Sequence, residues 1–441
     1  MIRDNLHQQW LDDVDAYLDG RTTPQALQAN GQQRAGEVLR YVAQRSAFYA
    51  DHLRSQAGSP SALPALDGVP FTTKDDLRAV GRSVCSLPFD QIAVYYETTG
   101  TTGLPTPCPR AAIDVETSGA YVQKAVADLY QSTFGTTDAL TAIMGPSELY
   151  AFGDTYGEVC RNLGIPYVRL WPESPRVGLV KAAQLINDLG VRSLICSPAV
   201  ALALARLYVS QGIDPRATAV GQIMVLGELC TPQMLSNITR VWDAHCTHGL
   251  YGSQEAHAVA TGCPNGNLHF SETNYLAEIL PVPGMDGDIG ELCLTMLVPG
   301  AKPLIRYRTG DLARLHSAEE CGCGNRSRCL RVFGRVSDVM TLAGRQVLPA
   351  LIESAVLTAA EWVSGYEVRI CSASDGSDHV EVSMVAGIGE RSLAEVQEQM
   401  AGHFGTSVQL QLAQSLDPRT ETGAYISWKH ARIRDQREPV L

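Results

Sequence analysis

Three short apolar runs, "ALTAIMG", "VRSLICS" and "QIMVLGE", recur between about 120 and 250, and helical stretches at 175–189 and 199–211 precede or follow them. A strand buried on both faces reads as a continuous apolar run, and two parallel strands need a crossover long enough to hold a helix. This alternation restricts the region to a parallel sheet covered by helices, an α/β architecture.

The flanking regions have other characters. Residues 24–55 read as amphipathic helix, with Leu27, Val38, Leu39, Tyr41 and Val42 among polar positions. "VPFTTKDDLRAVG" (69–81) offers a helix start, capped by Thr72 or Thr73 with Asp75 and Asp76 in the first turn. After 265 the chain turns strand-like and rich in turns. After Arg335, "YEVRICSA", "HVEVSMVA" and "SVQLQLA" alternate beside helical stretches at 350–361 and 391–403, which predicts a small α+β unit. A boundary falls at "GRVSD" (334–338), giving 1–335 and 336–441. A length of 441 residues is itself too great for one ordinary core.

Charge and composition narrow the function. The formal net charge is −12 and no basic block occurs, which speaks against nucleic acid or an anionic membrane as partner. The N-terminal stretch carries acids and no apolar centre, so no signal peptide is expected, and no run has the length of a transmembrane helix. Twelve cysteines without a targeting signal point to reduced thiols in a cytoplasmic protein.

"YYETTGTTGLPTPCP" (95–109) packs Thr98, Thr99, Thr101 and Thr102 around Gly100 and Gly103. Glycines allow close backbone approach to a ligand, and hydroxyls and free N–H groups donate to anionic oxygens. The loop suits a polyphosphate, against the plainer reading of a threonine-rich surface turn. No Gly-Lys-Ser/Thr follows, so it is not a Walker A loop. Two further stretches, "VLGELC" (with Gly227 and Glu228) and "GLYGSQEAH" (with Tyr251, Gly252, Ser253 and Glu255), end apolar runs in glycine and a carboxylate. Ligands of α/β proteins sit at such strand ends. "PLIRYRTGDL" presents Asp311 after a Thr-Gly turn, and "GRVSDVMTLAGRQVLP" begins with Arg335. A carboxylate for ribose hydroxyls, another for Mg²⁺, an arginine and a phosphate loop together describe an ATP site. Each alone has an ordinary structural reading: Asp311 as turn former, Glu255 as solvated or capping acid, Arg335 as surface cation.

With these residues in place, the sequence resembles the adenylate-forming superfamily, in its phenylacetate–coenzyme A ligase branch. "RSAFYADHLR", "VPFTTKDDLR" and "TTGTTGLPT" are similar to early signatures of that branch, and "YGSQE", "IRYRTGD" and "GRVSDVMTLAGRQVLP" to core motifs of the superfamily. "WKHARIRDQR" is similar to the motif of the catalytic lysine, which places that role on Lys429. The resemblance implies a large N-terminal portion of α/β subdomains with a small β-barrel, then a mobile C-terminal lid. It implies activation of a carboxylic acid by ATP to an acyl-adenylate, with Thr101 and its neighbours on the phosphates, Glu255 on Mg²⁺ and Lys429 on the developing charge. Transfer to coenzyme A follows; a carrier protein, an amine or another small nucleophile are the alternative acceptors. A degenerate ATP-binding protein without ligase activity is the reading from another class, and a homodimer is an open assembly. Three departures stand out: Trp428 precedes Lys429 where glycine is usual, Ser337-Asp338 replaces an acid pair at the hinge, and "GPSELYAFGDTYGE" replaces a Phe-Thr-Gly-Gly turn.

Two further groups complete the expectations. Cys263, His269, Cys321 and Cys323 make a set of three thiolates and one imidazole, fit for a closed structural zinc site, which the resemblance to the branch also favours. The alternatives are free thiols with a surface histidine, or Cys329 in place of one ligand. Tyr150, Phe152, Tyr156 and His257 are candidates to line the acyl pocket, against the reading of ordinary core aromatics, and suggest an aryl or heteroaryl acid.

Overall fold

The computed structural model describes residues 5–54, 66–98, 104–285, 287–373, 376–416 and 432–437. Compactness divides the chain into two units of interleaved segments: 1–129, 146–163 and 250–331 form the first, and 130–145, 164–249 and 332–441 the second. This partition is not a single cut at 335; that cut remains a proposal about which part moves.

In the first unit, the amphipathic stretch at 24–55 is two helices, Pro24–Arg45 and Ala47–Arg54, divided at Ser46. Thr23 caps the former, which buries Val38, Leu39 and Val42. The expected cap at 72–73 is Thr73: it and Asp76 form a reciprocal capping box that starts the helix Lys74–Val80. The β-rich stretch read as a small barrel folds as a seven-stranded sheet. Its order is Tyr275–Pro281, Gly290–Met296, Tyr307–His316, Cys329–Arg335, Leu268–Phe270, His257–Gly262 and Leu250–Ser253.

In the second unit the three apolar runs become Thr141–Ile143, Ser193–Cys196 and Gln222–Val225. With Tyr167–Arg169 and His245–His248 they form a five-stranded sheet, parallel at every pairing. The helices Gly178–Asp188, Pro198–Ser210 and Pro232–Trp242 cross between its strands. Strand order reverses between Thr141–Ile143 and Ser193–Cys196, the doubly wound arrangement whose ligands gather at the carboxyl ends of strands. Residues after 335 add the α+β part, with a four-stranded sheet ordered Ser407–Leu412, Asp378–Gly387, Trp362–Ser372 and Ile433–Asp435. Its core is continuous with that of the parallel sheet: Ile223, Ile238 and Trp242 share one buried cluster with Ile352, Val363, Val382 and Ile433. Among the described residues, no helix is long and apolar enough to cross a membrane.

Candidate active site

The first unit places "VPFTT" against "IRYRTGD". Thr72 forms an isolated parallel bridge with Tyr307, its hydroxyl donates to the Ile305 carbonyl at 2.8 Å, and the Ile305 N–H donates to the Tyr49 hydroxyl at 2.9 Å. All four residues are buried, so each bond is made away from competing water. Beyond this bridge the chain reaches Asp311 through a tight turn. Gly310 is left-handed (φ +78), the Thr309 hydroxyl donates to the Leu292 carbonyl at 2.8 Å, and the Gly310 N–H donates to Glu291 at 3.2 Å. The Asp311 N–H donates back to the Thr309 hydroxyl at 3.1 Å. The carboxylate itself accepts from the Tyr251 hydroxyl at 2.7 Å. Burial and the adjacent Asp311 charge push the Tyr251 phenol well above its usual range, so it stays a donor. Sequence positions sixty apart thus meet, and Tyr251 orients one oxygen of Asp311.

The "YGSQEAH" turn joins the strands Leu250–Ser253 and His257–Gly262 through an irregular register at Tyr251/Gly252. A Cβ on Gly252 would lie 1.9 Å from the His257 carbonyl oxygen, so only glycine fits that approach. The Gln254 amide fastens the turn to the start of the helix Ala151–Leu163: it accepts from the Ala151 N–H at 3.3 Å and donates to the Leu149 carbonyl at 3.1 Å. The stretch carrying Tyr150, Phe152 and Tyr156 is thereby held beside Glu255. Phe152 and Tyr156 form a ring pair with centroids 5.9 Å apart, and the buried Tyr156 hydroxyl has no hydrogen-bond partner among the described residues.

Glu255 is buried, and Lys74 Nζ stands 3.4 Å from its Oε1. Burial raises its carboxyl pKa, but Lys74 and then Lys302 outweigh burial and hold it below the usual range. Ser253, exposed at the tip, accepts from the Ala256 N–H at 3.1 Å. His257 is buried with a left-handed backbone (φ +62); burial, then Arg110 and Lys302, keep its imidazole neutral, and Nε2 has no partner among the described residues. Thr98 closes the neck of the phosphate-type loop. Its N–H donates to the Thr106 carbonyl at 3.1 Å, and its hydroxyl accepts from the Thr106 N–H at 2.9 Å. Thr99, Gly100, Thr101, Thr102 and Gly103 lie outside the described residues, as does Lys429.

In the second unit, Gly227 follows the strand Gln222–Val225 in a left-handed conformation (φ +90). The Glu228 carboxylate is already engaged: Arg432 Nη2 donates to it at 3.1 Å. Arg432 also lies 3.6 Å from Glu353, whose carboxylate accepts from the Thr231 N–H and hydroxyl and from the Tyr366 hydroxyl. Arg335 is exposed, just before the single turn Val336–Asp338 in which the Ser337 hydroxyl donates to Asp338 at 2.9 Å.

The cysteine-histidine set closes on itself. The ligand atoms of Cys263, His269, Cys321 and Cys323 lie within 4.8 Å of one another. Cys263 and Cys321 sulfurs are 3.5 Å apart, and Cys323 Sγ is 3.2 Å from His269 Nε2. His269 Nδ1 is 2.8 Å from the Ser327 carbonyl, an acceptor only, so Nδ1 carries the proton and the Nε2 lone pair faces the sulfurs. Asn267 and the Asn325 N–H donate to Cys321 and Cys323 sulfurs. A tetrahedron with Zn–S near 2.3 Å has edges of roughly 3.8 Å, so the spacing and donor set fit zinc. Cys329 Sγ stands farther off, 3.8 and 3.9 Å from the two His269 nitrogens.

Sequence reasoning did not single out Lys74, Arg110, Lys302 or Arg432. Lys74 was visible only as part of a helix cap. A signal for Lys302 exists, a lone cation inside "LVPGAKPLI". Arg110 and Arg432 have no local signature, because their partners are distant in sequence.

No family model matches the chain. Among curated proteins, a phenylacetate-coenzyme A ligase of Pseudomonas putida is 26% identical over 419 residues, covering 88% of this chain and 90% of the relative. One of Thermus thermophilus is 25% identical over 360 residues, covering 78% of each. Among solved structures, 2-hydroxyisobutyryl-CoA ligase in the postadenylation state with 2-HIB-AMP superposes with a TM-score of 0.75 at 18% identity, covering 93% of this chain and 90% of that one. The same ligase with 2-HIB-AMP and CoA in the thioesterification state gives 0.63 at 20% identity, covering 95% and 91%. The likeness to the solved structures is one of fold; the likeness in sequence is to phenylacetate-coenzyme A ligases and runs along most of the chain.

Proposed function

We propose that this chain is an ATP-dependent acid ligase that forms an acyl-adenylate and transfers the acyl group to coenzyme A. The observation that carries this reading is the Tyr251–Asp311 pair beside the anchored, salt-bridged Glu255, in a chain similar to phenylacetate-coenzyme A ligases along most of its length. In the first step a carboxylate oxygen of the acid attacks the α-phosphorus of ATP, the bond to pyrophosphate breaks, and the mixed anhydride remains. The coenzyme A thiolate then attacks the acyl carbon and AMP leaves. The protein's part is positioning and charge neutralisation. Asp311, oriented by Tyr251, accepts from the ribose hydroxyls. Thr98, Thr99, Gly100, Thr101, Thr102 and Gly103 hold the phosphates, and Tyr251, Gly252 and Ser253 present the turn beside them. Gly227 and Arg335 stay in the nucleotide set on their motifs alone. Glu228 serves it through its backbone, its carboxylate being held by Arg432. Lys429 acts on charge developing in the transition state.

Glu255 is the residue that would hold Mg²⁺, a hard cation suited to a carboxylate kept ionised by two lysines, and the ion would neutralise phosphate oxygens when bound. Cys263, His269, Cys321 and Cys323 would hold a structural Zn²⁺, since four protein ligands leave no position for water. Tyr150, Phe152, Tyr156 and His257 are proposed to line the acyl pocket. A panel of carboxylic acids scored by pyrophosphate release, with and without coenzyme A, tests the reading. Acid-dependent release followed by coenzyme A-dependent AMP formation is expected. Release without that second step points to a carrier protein or amine as acceptor, and ATP binding without release points to a degenerate protein.

A further inference from the structure

Arg432 stands three positions after Lys429 in "WKHARIRDQR". Its guanidinium ends at the glycine-acid turn "VLGELC", 204 positions away in sequence. Nη2 donates to the Glu228 carboxylate at 3.1 Å and to the Leu229 carbonyl at 3.3 Å, so one group holds this turn by side chain and by backbone. Nη1 faces Glu353 at 3.6 Å, and all three charged side chains are buried. Glu353 is fixed in turn. Its carboxylate accepts from the Thr231 N–H at 3.0 Å, the Thr231 hydroxyl at 2.9 Å and the Tyr366 hydroxyl at 2.8 Å. Thr231 caps the helix Pro232–Trp242 that follows the turn. The Arg432 backbone is held as well: its carbonyl accepts from the Val368 N–H at 2.8 Å, and Ile433 opens the strand that pairs in parallel with Trp362–Ser372.

A buried ion pair contributes little net stability, because desolvation of the charges offsets their attraction. What a planar guanidinium with fixed donors supplies is geometry. Here it fixes the end of the lysine motif against the turn that carries Gly227 and Glu228, and Glu353 engages the other edge of the fork. A group that meets charge developing in a transition state is sensitive to such placement: an error of about 1 Å can cost roughly 10²-fold in rate. We propose that Arg432 is a positioning residue for adenylate formation. Clamped between Glu228 and Glu353, it registers the motif that supplies Lys429 against the nucleotide turn. The inference rests on the acid-activating reading above and deepens it, by assigning a residue that acts through another.

The test is a double-mutant cycle on the full-length protein, read by single-turnover adenylate formation at saturating ATP with phenylacetic, benzoic and nicotinic acids as probes. Arg432→Lys keeps the positive charge between the two acids and removes the fork. It should slow adenylate formation by about tenfold, within the range that coupled neighbours show. The same change made in Lys429→Ala should cost about twofold or less, because its effect passes through the lysine. Thioester formation from the corresponding preformed acyl-adenylate and coenzyme A should stay within about twofold of wild type, since Lys429 is assigned to the first step. A general loss of folded protein would instead slow both steps equally and add in both backgrounds. Arg432→Met combined with Glu228→Gln is the second variant. It removes one charge of each sign, which leaves the core neutral at that pair, and it should show the same non-additivity with Lys429→Ala. Additive costs, equal slowing of both steps, or wild-type rates in both Arg432 variants each overturn the proposal and leave the ligase reading in place. Wild type that forms an adenylate from none of the three acids removes the aryl-acid reading and the proposal with it.

Discussion

Asp311 shows how much a single residue's role depends on its neighbours. Its turn was readable in "YRTGD", but its orientation comes from Tyr251, sixty positions away, whose burial keeps the phenol a donor. If Asp311 holds the ribose in the ground state, Asp311→Ala should raise KM for ATP and the calorimetric Kd alike. A charge-assisted hydrogen bond is worth about 1.5–3 kcal/mol, or roughly 10–100-fold. Unchanged ATP affinity by calorimetry removes Asp311 from the site. Lys429 makes the opposite kind of prediction. A group that acts on developing charge contributes to the rate and little to ground-state binding, so Lys429→Ala should slow single-turnover adenylate formation by about 10²–10³ with ATP affinity nearly kept.

Elements carry the next level. The cysteine–histidine set joins the turn at 263–269 to the loop at 321–323, and the strand Tyr307–His316 that bears Asp311 runs between them. A metal binding both segments would stabilise this sheet by coupling ligation to folding. Protein purified without added metal should contain about one zinc per chain, on the four-ligand logic. Cys321→Ser should lower zinc content and Tm together, whereas Cys371→Ser, on the strand Trp362–Ser372 of the second unit, should change neither. Metal-free wild type of full stability would return these residues to ordinary thiols. The sulfur and histidine residue types were legible in sequence; that His269 presents Nε2 was not, because the Ser327 carbonyl that takes Nδ1 comes from another segment.

At the scale of the whole molecule, buried titratable groups tie stability to pH. His257 is neutral when folded, because burial and then Arg110 and Lys302 oppose its charge. The unfolded chain protonates it below about pH 6.5, so the unfolded state binds more protons there and stability drains as pH falls from that value. One such site contributes a slope of up to about 1.4 kcal/mol per pH unit. Denaturant midpoints should fall between pH 7 and pH 5.5, and His257→Gln should flatten that fall; an equal slope in the variant would show that the histidine is not the source. Glu255 has the same sense in a more acidic window. Its folded pKa is depressed, so its contribution persists above the ordinary carboxyl range and disappears only on stronger acidification.

The amino-acid pattern by itself determined the classes of element and the chemistry on offer. Apolar runs between helical stretches required a parallel sheet, and five parallel strands formed. Thr73 with Asp76 started a helix where local capping demands one. These outcomes depend on interactions a few residues long or on which face must leave water, and both are written in sequence period. Tertiary structure alone decided the pairings. The core shared by Ile223 and Trp242 with Ile352, Val382 and Ile433 could not be foreseen from a composition change near 335. Arg432 on Glu228 and Lys74 on Glu255 follow from side chains meeting over long sequence separation. A charge carries no record of its partner in its local sequence. Whether it is solvated or neutralised is set by the dielectric and neighbours that folding supplies.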